Sequence, residues 1–259
     1  MAKKSEKEGV VVRKEKKQET EVYIPIVGRT PLFLNAATPS VASVLIFPEP
    51  KKTKAQREKS LKHDPVAEFR RSMYRIEDPQ SPTYVGLKAA AFKKAMEGVS
   101  ALNGFTKVGF QSLSLYSKAL YEGDFVPVWG IPQFDIRFVR VGAMKTMDTR
   151  CRGLMLEWAS LVRIRYVEEA ITVQQILNLM FDAGQTQGVG DNRKNGFGRF
   201  DLANKDDPEF LRIQAEGGRD AQVKAVLDAE FANRFTKETW EETELRLLSN
   251  GRDYTQRGE

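Results

Sequence analysis

The sequence predicts an α+β fold with a ferredoxin-like core, whose elements follow one another in the order β-α-β-β-α-β. Three observations predict it: runs with an apolar period near two, two helix-period apolar stripes between them, and a glycine-rich stretch before the last run. The six segments, in chain order, are 21–34, 84–98, 107–116, 154–167, 172–184 and 197–202. RNA-recognition domains use the same four-stranded sheet as a platform, so the predicted core is also RRM-like.

The first predicted strand, 21–34, carries apolar residues at alternate positions, and Pro25 within it favours a sheet edge or a bulge. Before it, residues 1–19 are rich in Lys and Glu and poor in apolar residues, which predicts a disordered tail. After it, an insertion at 35–83 interrupts the core. Within that insertion, residues 51–75 carry nine basic and three acidic side chains.

The first predicted helix, 84–98, has the clearest apolar stripe in this half of the chain, and Gly98 can end it. Three lysines lie off the stripe, at Lys88, Lys93 and Lys94. They present one basic flank of the helix. The alternative interpretation of this basic flank is an ordinary solvated helix face.

The second and third strands, 107–116 and 154–167, are separated by an aromatic insertion at 118–150 that Pro and Gly residues punctuate. Two strand-like runs in this insertion, 134–141 and 143–147, flank a single glycine. This arrangement predicts a β-hairpin. Aromatic residues alternate with basic ones there, a pattern that suits stacking on unpaired bases, although packing inside a hairpin is the simpler interpretation.

The second predicted helix, 172–184, begins after Thr172, which can cap it, and the strand 197–202 closes the sheet. Residues beyond Pro208 have helical spacing and are acidic. The sequence therefore divides into a disordered basic tail, a sheet domain with two insertions and an acidic helical extension, at 1–19, 20–205 and 206–259.

Composition excludes several classes of protein. With 259 residues, 41% of them hydrophobic and 29% charged, the chain can build a sizeable core, and no apolar run is long enough to cross a bilayer. The start of the chain lacks the apolar region of a secretory signal. Cys151 is the only cysteine and His63 the only histidine, which excludes an internal disulfide, a cysteine-based zinc site and a pair of catalytic histidines. These features predict a soluble cytoplasmic protein without a membrane partner.

The net charge of +6 is unevenly distributed. Residues 1–20 carry a net +3 and residues 206–259 a net −5, so the body between them carries +8. A basic body predicts a polyanionic partner, nucleic acid being the first candidate. Ordinary solubilising charge is the alternative.

The most informative stretch reads Gly-Val-Gly-Asp-Asn-Arg-Lys-Asn-Gly-Phe-Gly-Arg-Phe and spans 188–200. Two glycine pairs enclose a basic centre, so the backbone can approach a ligand closely while cations face it. A P-loop or a dinucleotide fingerprint would need different spacing and a strand before the loop, whereas this loop follows a helix. A solvated glycine-rich turn is the remaining alternative to an anion-binding loop.

The chain resembles the RAMP superfamily, which includes guide-RNA-binding backbone and processing subunits of CRISPR effector complexes. The pattern Gly-x-Gly-x-x-x-x-x-Gly-x-Gly-x-Phe at 188–200 lies just before the last strand, as in that family. Gly28-Arg29-Thr30-Pro31-Leu32 is similar to the ending of the family's first strand, and Tyr84-Val85-Gly86-Leu87-Lys88 stands where its first helix opens. The insertion at 118–150 lies where backbone subunits project a thumb. Uncharacterised phage-encoded proteins look similar as well.

The resemblance implies a non-catalytic protein that binds single-stranded RNA, in preference to single-stranded DNA, and assembles as repeated subunits or within a larger complex. No cofactor, metal site or catalytic residue is expected. The residues expected to contact the strand come from the loop, the basic helix flank and the insertion: Gly188, Gly190, Asn192, Arg193, Lys194, Gly196, Gly198, Arg199, Lys88, Lys93, Lys94, Arg137, Arg140 and Trp129.

Two alternatives belong to other classes. An interaction protein of the phage counter-defence type would mimic a CRISPR backbone subunit without binding a strand. A metal-independent endoribonuclease would use His63, since some RAMP processing enzymes cleave RNA with a histidine. No carboxylate spacing recommends a metal-dependent nuclease.

Overall fold

The computed structural model describes residues 19–36, 53, 64–112, 116–118, 124–141 and 146–249. Ten strands lie within these residues: β1 Glu19–Gly28, β2 Leu32–Phe33, β3 Tyr74–Arg75, β4 Val85–Lys88, β5 Tyr116–Lys118, β6 Phe125–Trp129, β7 Pro132–Val141, β8 Thr146–Met155, β9 Ala159–Val167 and β10 Phe200–Leu202. The α-helices are α1 Pro65–Arg71, α2 Ala90–Glu97, α3 Lys107–Ser112, α4 Val173–Thr186, α5 Pro208–Glu216, α6 Arg219–Asp228 and α7 Arg234–Ser249.

The main sheet has the strand order β10-β1-β9-β6-β4-β3, and β5 pairs with β9 along the same edge as β6. All of these pairs are antiparallel. Taken alone, β1, β5, β9 and β10, with helices α2 and α4 in the two crossovers, form a ferredoxin-like βαββαβ unit. The predicted fold class, α+β with a ferredoxin-like core, is confirmed.

The two faces of the main sheet pack against different helices. On β1, Ile24 and Ile26 are buried in the large core that also contains Phe92 of α2 and Leu179 of α4. The next residue, Val27, belongs to a smaller cluster on the opposite face. This alternation is the period of two that the sequence shows.

A second sheet of three strands, in the order β2-β8-β7, lies beside the first. β7 and β8 pair along their whole length, from Pro132 opposite Met155 to Val141 opposite Thr146. The predicted hairpin is therefore confirmed, with longer arms than expected. Its turn, Gly142 included, lies outside the described residues.

The predicted strand at 107–116 is wrong over most of its length, because Lys107–Ser112 is helix α3; among the described residues here, strand β5 begins at Tyr116. The Thr106 hydroxyl accepts a hydrogen bond from the N–H of Gly109, 3.0 Å away, and so caps the first turn. Phe110 is fully buried while Val108 is 76% exposed, a difference that a simple alternation does not anticipate.

Two other predicted segments differ from the structure. Helix α2 begins only at Ala90, because Val85–Lys88 pairs as strand β4 with β3 and β6. Val85 and Leu87 fit a strand period of two as well as a helical stripe, so pairing with the neighbouring strands determines that this segment is a strand. The strand predicted at 154–167 is divided between two sheets, with β8 ending at Met155 and β9 beginning at Ala159.

The C-terminal helices pack on the body of the same chain. On α5, Phe210 and Ile213 cover Val27, Trp129 and Ala159 on the face of the sheet opposite to α2 and α4. On α6, the buried side chain of Gln222 bonds to the backbone of β4 and β6. That residues 206–259 form a separate extension stays a prediction. The disordered tail at 1–19 and the insertion at 35–83 also stay predictions, and most of both segments lies outside the described residues.

Candidate nucleic-acid interface

Residues 188–200, termed the glycine loop, connect helix α4 to strand β10. All four glycines of the loop have positive φ, between 66° and 84°, and Asn192 joins them at 57°. At Gly198 a Cβ atom would overlap the carbonyl oxygen of Val189, so the two limbs of the loop touch through backbone. Glycine is required at this position both for its dihedral angles and for its lack of a side chain.

The loop is held by the turn between β1 and β2. The Thr30 hydroxyl donates to the carbonyl of Gly196 at 2.8 Å and accepts from the N–H of Arg199 at 2.9 Å. The N–H of Gly198 donates to the carbonyl of Pro31, also at 2.9 Å. Two segments that the sequence analysis singled out separately are therefore one hydrogen-bonded structure.

An ion pair between a buried arginine and a partly exposed aspartate fixes the other limb of the loop. Arg152, on β8, is 8% exposed and lies 2.5 Å from the Asp191 carboxylate, which also accepts from the amide of Asn35 at 3.0 Å. Burial raises the pKa of Asp191, but the N–H of Asn192, the Arg152 guanidinium and the Asn35 amide outweigh it, so the pKa lies below its ordinary value. Asp191 is therefore a carboxylate at neutral pH.

The second sheet approaches the loop through stacked side chains. The guanidinium groups of Arg137 and Arg152 lie 4.6 and 4.7 Å from the ring centroid of Phe33. Arg137 also lies 5.2 Å from the ring centroid of Phe197 in the loop, and its Nε atom is 2.8 Å from the fully buried carboxylate of Asp135. Arg137 thus joins the hairpin to the loop and remains partly exposed beside it.

The glycine loop encloses a pocket of about 670 Å³, termed the loop pocket, whose walls are the end of α4 at Thr186 and Gln187, the loop residues 190–195, and Arg199. Among the described residues, no carboxylate lies within ion-pair distance of Arg193, Lys194 or Arg199. Within the residues that the structure describes, the Nη1 atom of Arg199 is buried and has no hydrogen-bond partner. A buried guanidinium N–H without an acceptor is costly and needs a partner.

A second pocket, of about 220 Å³, adjoins the loop pocket, since Gly190 and Asp191 line both. Lys88 lines it from the end of β4, with its Nζ atom 5.1 Å from the ring centroid of Tyr74. Lys88 is therefore brought to the loop as predicted, but from a strand and not from a helix. Ala91, in the first turn of α2, closes the pocket.

The remaining predicted contacts are more scattered. On α2, Lys93 is half-buried and Lys94 exposed, and neither is among the described residues that line the two pockets. Arg140 is exposed near the outer end of β7. Trp129, also predicted to contact the strand, is only 4% exposed and lies edge-on to Phe210 at 5.9 Å between ring centroids. Helix α5, far along the chain, covers it.

Sequence analysis missed Asn35, Tyr74 and the pairing of Arg152 with Asp191. Arg152 and Asp191 are 39 residues apart, and neither stands in a spacing that reveals the pair. The sequence did offer one signal, Asp191 itself, because a partly buried carboxylate needs a cationic partner. His63 lies outside the described residues, which also hold no group of three His, Cys, Asp or Glu side chains suited to a metal ion.

No protein-family model matches the sequence, and no curated protein matches it either. Among solved structures, one described as the cryo-EM structure of the Type III-B Cmr-beta bound to cognate target RNA is similar at 14% identity and a TM-score of 0.39. The match covers 72% of this chain and 59% of that chain. The crystal structure of Cmr6 from Pyrococcus furiosus is similar at 8% identity and a TM-score of 0.36, over 72% of this chain and 98% of that one.

Both likenesses concern the fold, and at these scores they say nothing of what this chain binds. In the described part of the chain, every helix is too short or too polar to cross a membrane.

Proposed function

We propose that the chain binds single-stranded nucleic acid, with the sugar-phosphate backbone lying in the loop pocket. The observation that carries this proposal is the loop pocket itself, where Arg193, Lys194 and Arg199 meet without a carboxylate partner among the described residues. Three unpaired cations around one pocket repel one another, and a bound polyanion relieves this repulsion.

The backbone of the loop favours the same ligand. Residues 193–195 form one 3₁₀ turn between Asn192 and Gly196, both in the left-handed region. The first N–H groups of such a turn have no partner within it and can donate to a phosphate oxygen. The guanidinium group of Arg199, which lines the loop pocket, supplies further donors. Phosphate carries only acceptors, so this set of donors matches it.

The finer parts of the proposal rest on the resemblance to the RAMP superfamily. On that basis we favour RNA over DNA, a binding role without catalysis, and assembly of several copies along one strand or within a larger complex. Lys93, Lys94 and Arg140 are then further contacts along the path of the strand, outside the loop pocket.

The test is the affinity for a fluorescent single-stranded RNA of about 12 nucleotides, within the site sizes of single-strand binders, measured by anisotropy over a range of salt concentrations. The test variant reverses the charge of Arg193, Lys194 and Arg199 to Glu. A matched control reverses three exposed cations of the C-terminal helices, Lys224, Arg234 and Lys237, and so changes the net charge equally.

We expect the loop variant to lose affinity and the control to retain most of it. For single strands each phosphate contact contributes about 0.7 to the slope of log affinity against log salt, so removal of three contacts lowers the slope by about 2. Equal affinity for the wild-type protein and the loop variant would refute the proposal. Parallel measurements with DNA of the same sequence decide which strand is preferred.

A further inference from the structure

We infer that the second pocket binds an unpaired nucleobase of the strand whose phosphates lie in the loop pocket. This pocket, termed the base pocket, is the one lined by Lys88, Tyr74, Asn35, Asp191 and Ala91. The inference rests on the proposed function and deepens it. It assigns a base-binding role to residues that a backbone-binding loop does not require.

Position is the first reason. The loop pocket and the base pocket share Gly190 and Asp191 as a common wall, so they are neighbours across a single stretch of backbone. A nucleotide consists of a charged phosphate and a flat heteroaromatic base joined by one sugar. The larger pocket is lined by cations and suits the phosphate, and the smaller one has apolar and aromatic walls and suits the base.

The surface of the base pocket is the second reason. Leu34 and Leu87 are both buried residues and supply apolar walls. The Tyr74 ring stacks on Phe125 with 5.1 Å between ring centroids, which holds it in place. Bound heteroaromatic ligands are held by apolar and aromatic walls of this kind, with a few polar groups that fix their orientation.

The polar groups are the third reason, because they include acceptors as well as donors. The Asp191 carboxylate is charged, and its Oδ1 atom, bonded to the N–H of Asn192 at 2.8 Å, retains a lone pair. Asn35 offers an amide at the exposed rim, and Lys88 offers an ammonium group. Asp191 also lines the loop pocket, where three cations offset its charge, whereas Lys88 is the single cation among the residues that line the base pocket. There the carboxylate disfavours phosphate and can accept from the N–H groups of a base edge. The mixture therefore fits a base better than a second phosphate.

The experiment compares two ligands of equal length and charge: the labelled single-stranded RNA and an abasic ribose-phosphate chain. We expect the wild-type protein to bind the RNA about fivefold or more tighter than the abasic chain, the lower end of what one stacked base contributes. Charge reversal of Arg193, Lys194 and Arg199 should weaken binding of both ligands and leave their ratio in place if any binding remains.

Two variants address the base pocket itself. Ala91→Leu fills it while keeping a good helix former, and Ala90→Leu, on the exposed neighbouring position of α2, is the matched control. We expect Ala91→Leu to remove the preference for RNA over the abasic chain and Ala90→Leu to keep it. Asn35→Ala, at an exposed site, should reduce the preference without affecting folding, which a circular-dichroism melt checks for all three.

Three results would overturn the inference. Equal wild-type affinity for RNA and the abasic chain refutes the base pocket while backbone binding stands. An unchanged preference in a folded Ala91→Leu protein refutes it as well. If the wild-type protein binds neither ligand at low salt, the proposed function and the base pocket both fail.

Discussion

The hydroxyl group of Thr30 joins two parts of the glycine loop at once, since it accepts from the N–H of Arg199 and donates to the carbonyl of Gly196. Thr30 stands in the turn after β1, 166 residues before Gly196. The indole of Trp158 in turn donates to the carbonyl of Thr30 at 2.9 Å. The turn after β1, the residue that precedes β9 and the loop thus share one anchor point.

Replacement of Thr30 by Val keeps the shape of the side chain and removes both hydrogen bonds. We expect a loss of about 1–3 kcal/mol in the free energy of unfolding, because part-buried backbone groups of the loop lose their partner. Affinity for single-stranded RNA should fall as well. Urea unfolding measures the first effect, and Thr243→Val is the control, since this hydroxyl donates to the Thr239 carbonyl within helix α7. Equal RNA affinity in Thr30→Val and the wild-type protein would contradict the anchoring role.

The two glycines that flank Phe197 differ in a way that substitution can reveal. Gly196 and Gly198 both have positive φ, but a Cβ at Gly196 meets nothing within 4 Å, whereas one at Gly198 overlaps the Val189 carbonyl. Gly196→Ala should cost only the dihedral strain, about 1–2 kcal/mol. Gly198→Ala should cost more and also abolish RNA binding, because the backbone of the loop must move. Similar unfolding free energies for the two variants would show that the limbs of the loop are not in contact.

Gln222 is buried, and both the oxygen and the nitrogen of its side-chain amide form hydrogen bonds. Its Oε1 atom accepts from the N–H groups of Tyr84 and Val85 at 2.8 and 2.9 Å, and its Nε2 atom lies within 3.0 Å of three carbonyl oxygens. Gln222→Met keeps the volume and leaves buried backbone groups without partners, at about 1–3 kcal/mol for each. We expect a loss of at least about 2 kcal/mol in urea unfolding, against little change for Gln214→Met. A neutral result for Gln222→Met would mean that helix α6 is not held to the sheet by this side chain.

The pairing of Asp191 with Arg152 makes loop stability depend on acid. Because the pKa of Asp191 is lowered in the folded state, the carboxylate stabilises that state above its unfolded pKa, about 3.9. This contribution is lost as the pH falls through the folded pKa. We therefore expect Asp191→Asn to unfold more easily than the wild-type protein at pH 7, and the difference to shrink toward about pH 3.

Thermal melts of both proteins across this range measure the effect. Glu157→Gln is the control, since its carboxylate has a lowered pKa through Arg212 but lies on the exposed surface. A difference between Asp191→Asn and wild type that does not change with pH would contradict the assignment.

Much of the fold could be predicted because its signals are local. Thr172 caps helix α4 with Gln175 in a capping box, and the alternation along β1 marks which residues face the helices. The failure at 107–116 is also local in origin, since the cap at Thr106 and the burial of Phe110 override an apparent alternation.

The candidate site was only partly predictable, for a physical reason. The glycine loop carries its own signature, and its cations lie within it. The residues that support the loop carry no such signature. Arg152 reaches Asp191 from the second sheet, and Lys88 reaches the base pocket from strand β4, which lies within the segment predicted as a helix. The burial of Trp129 was not predictable either, because Phe210, which covers it, comes from a later helix. Such contacts follow from tertiary packing, which spacing along the chain does not encode.

The position of helix α5 has a consequence for the route of any bound polymer. RNA-recognition domains lay bases across the open face of their sheet, but here Phe210 and Ile213 close that face around Val27 and Ala159. A ligand strand is therefore excluded from crossing the sheet at this point. Under the proposed function, the strand instead follows the rim where the first and last strands turn, and the sheet serves as the rigid support of the loops and the hairpin there.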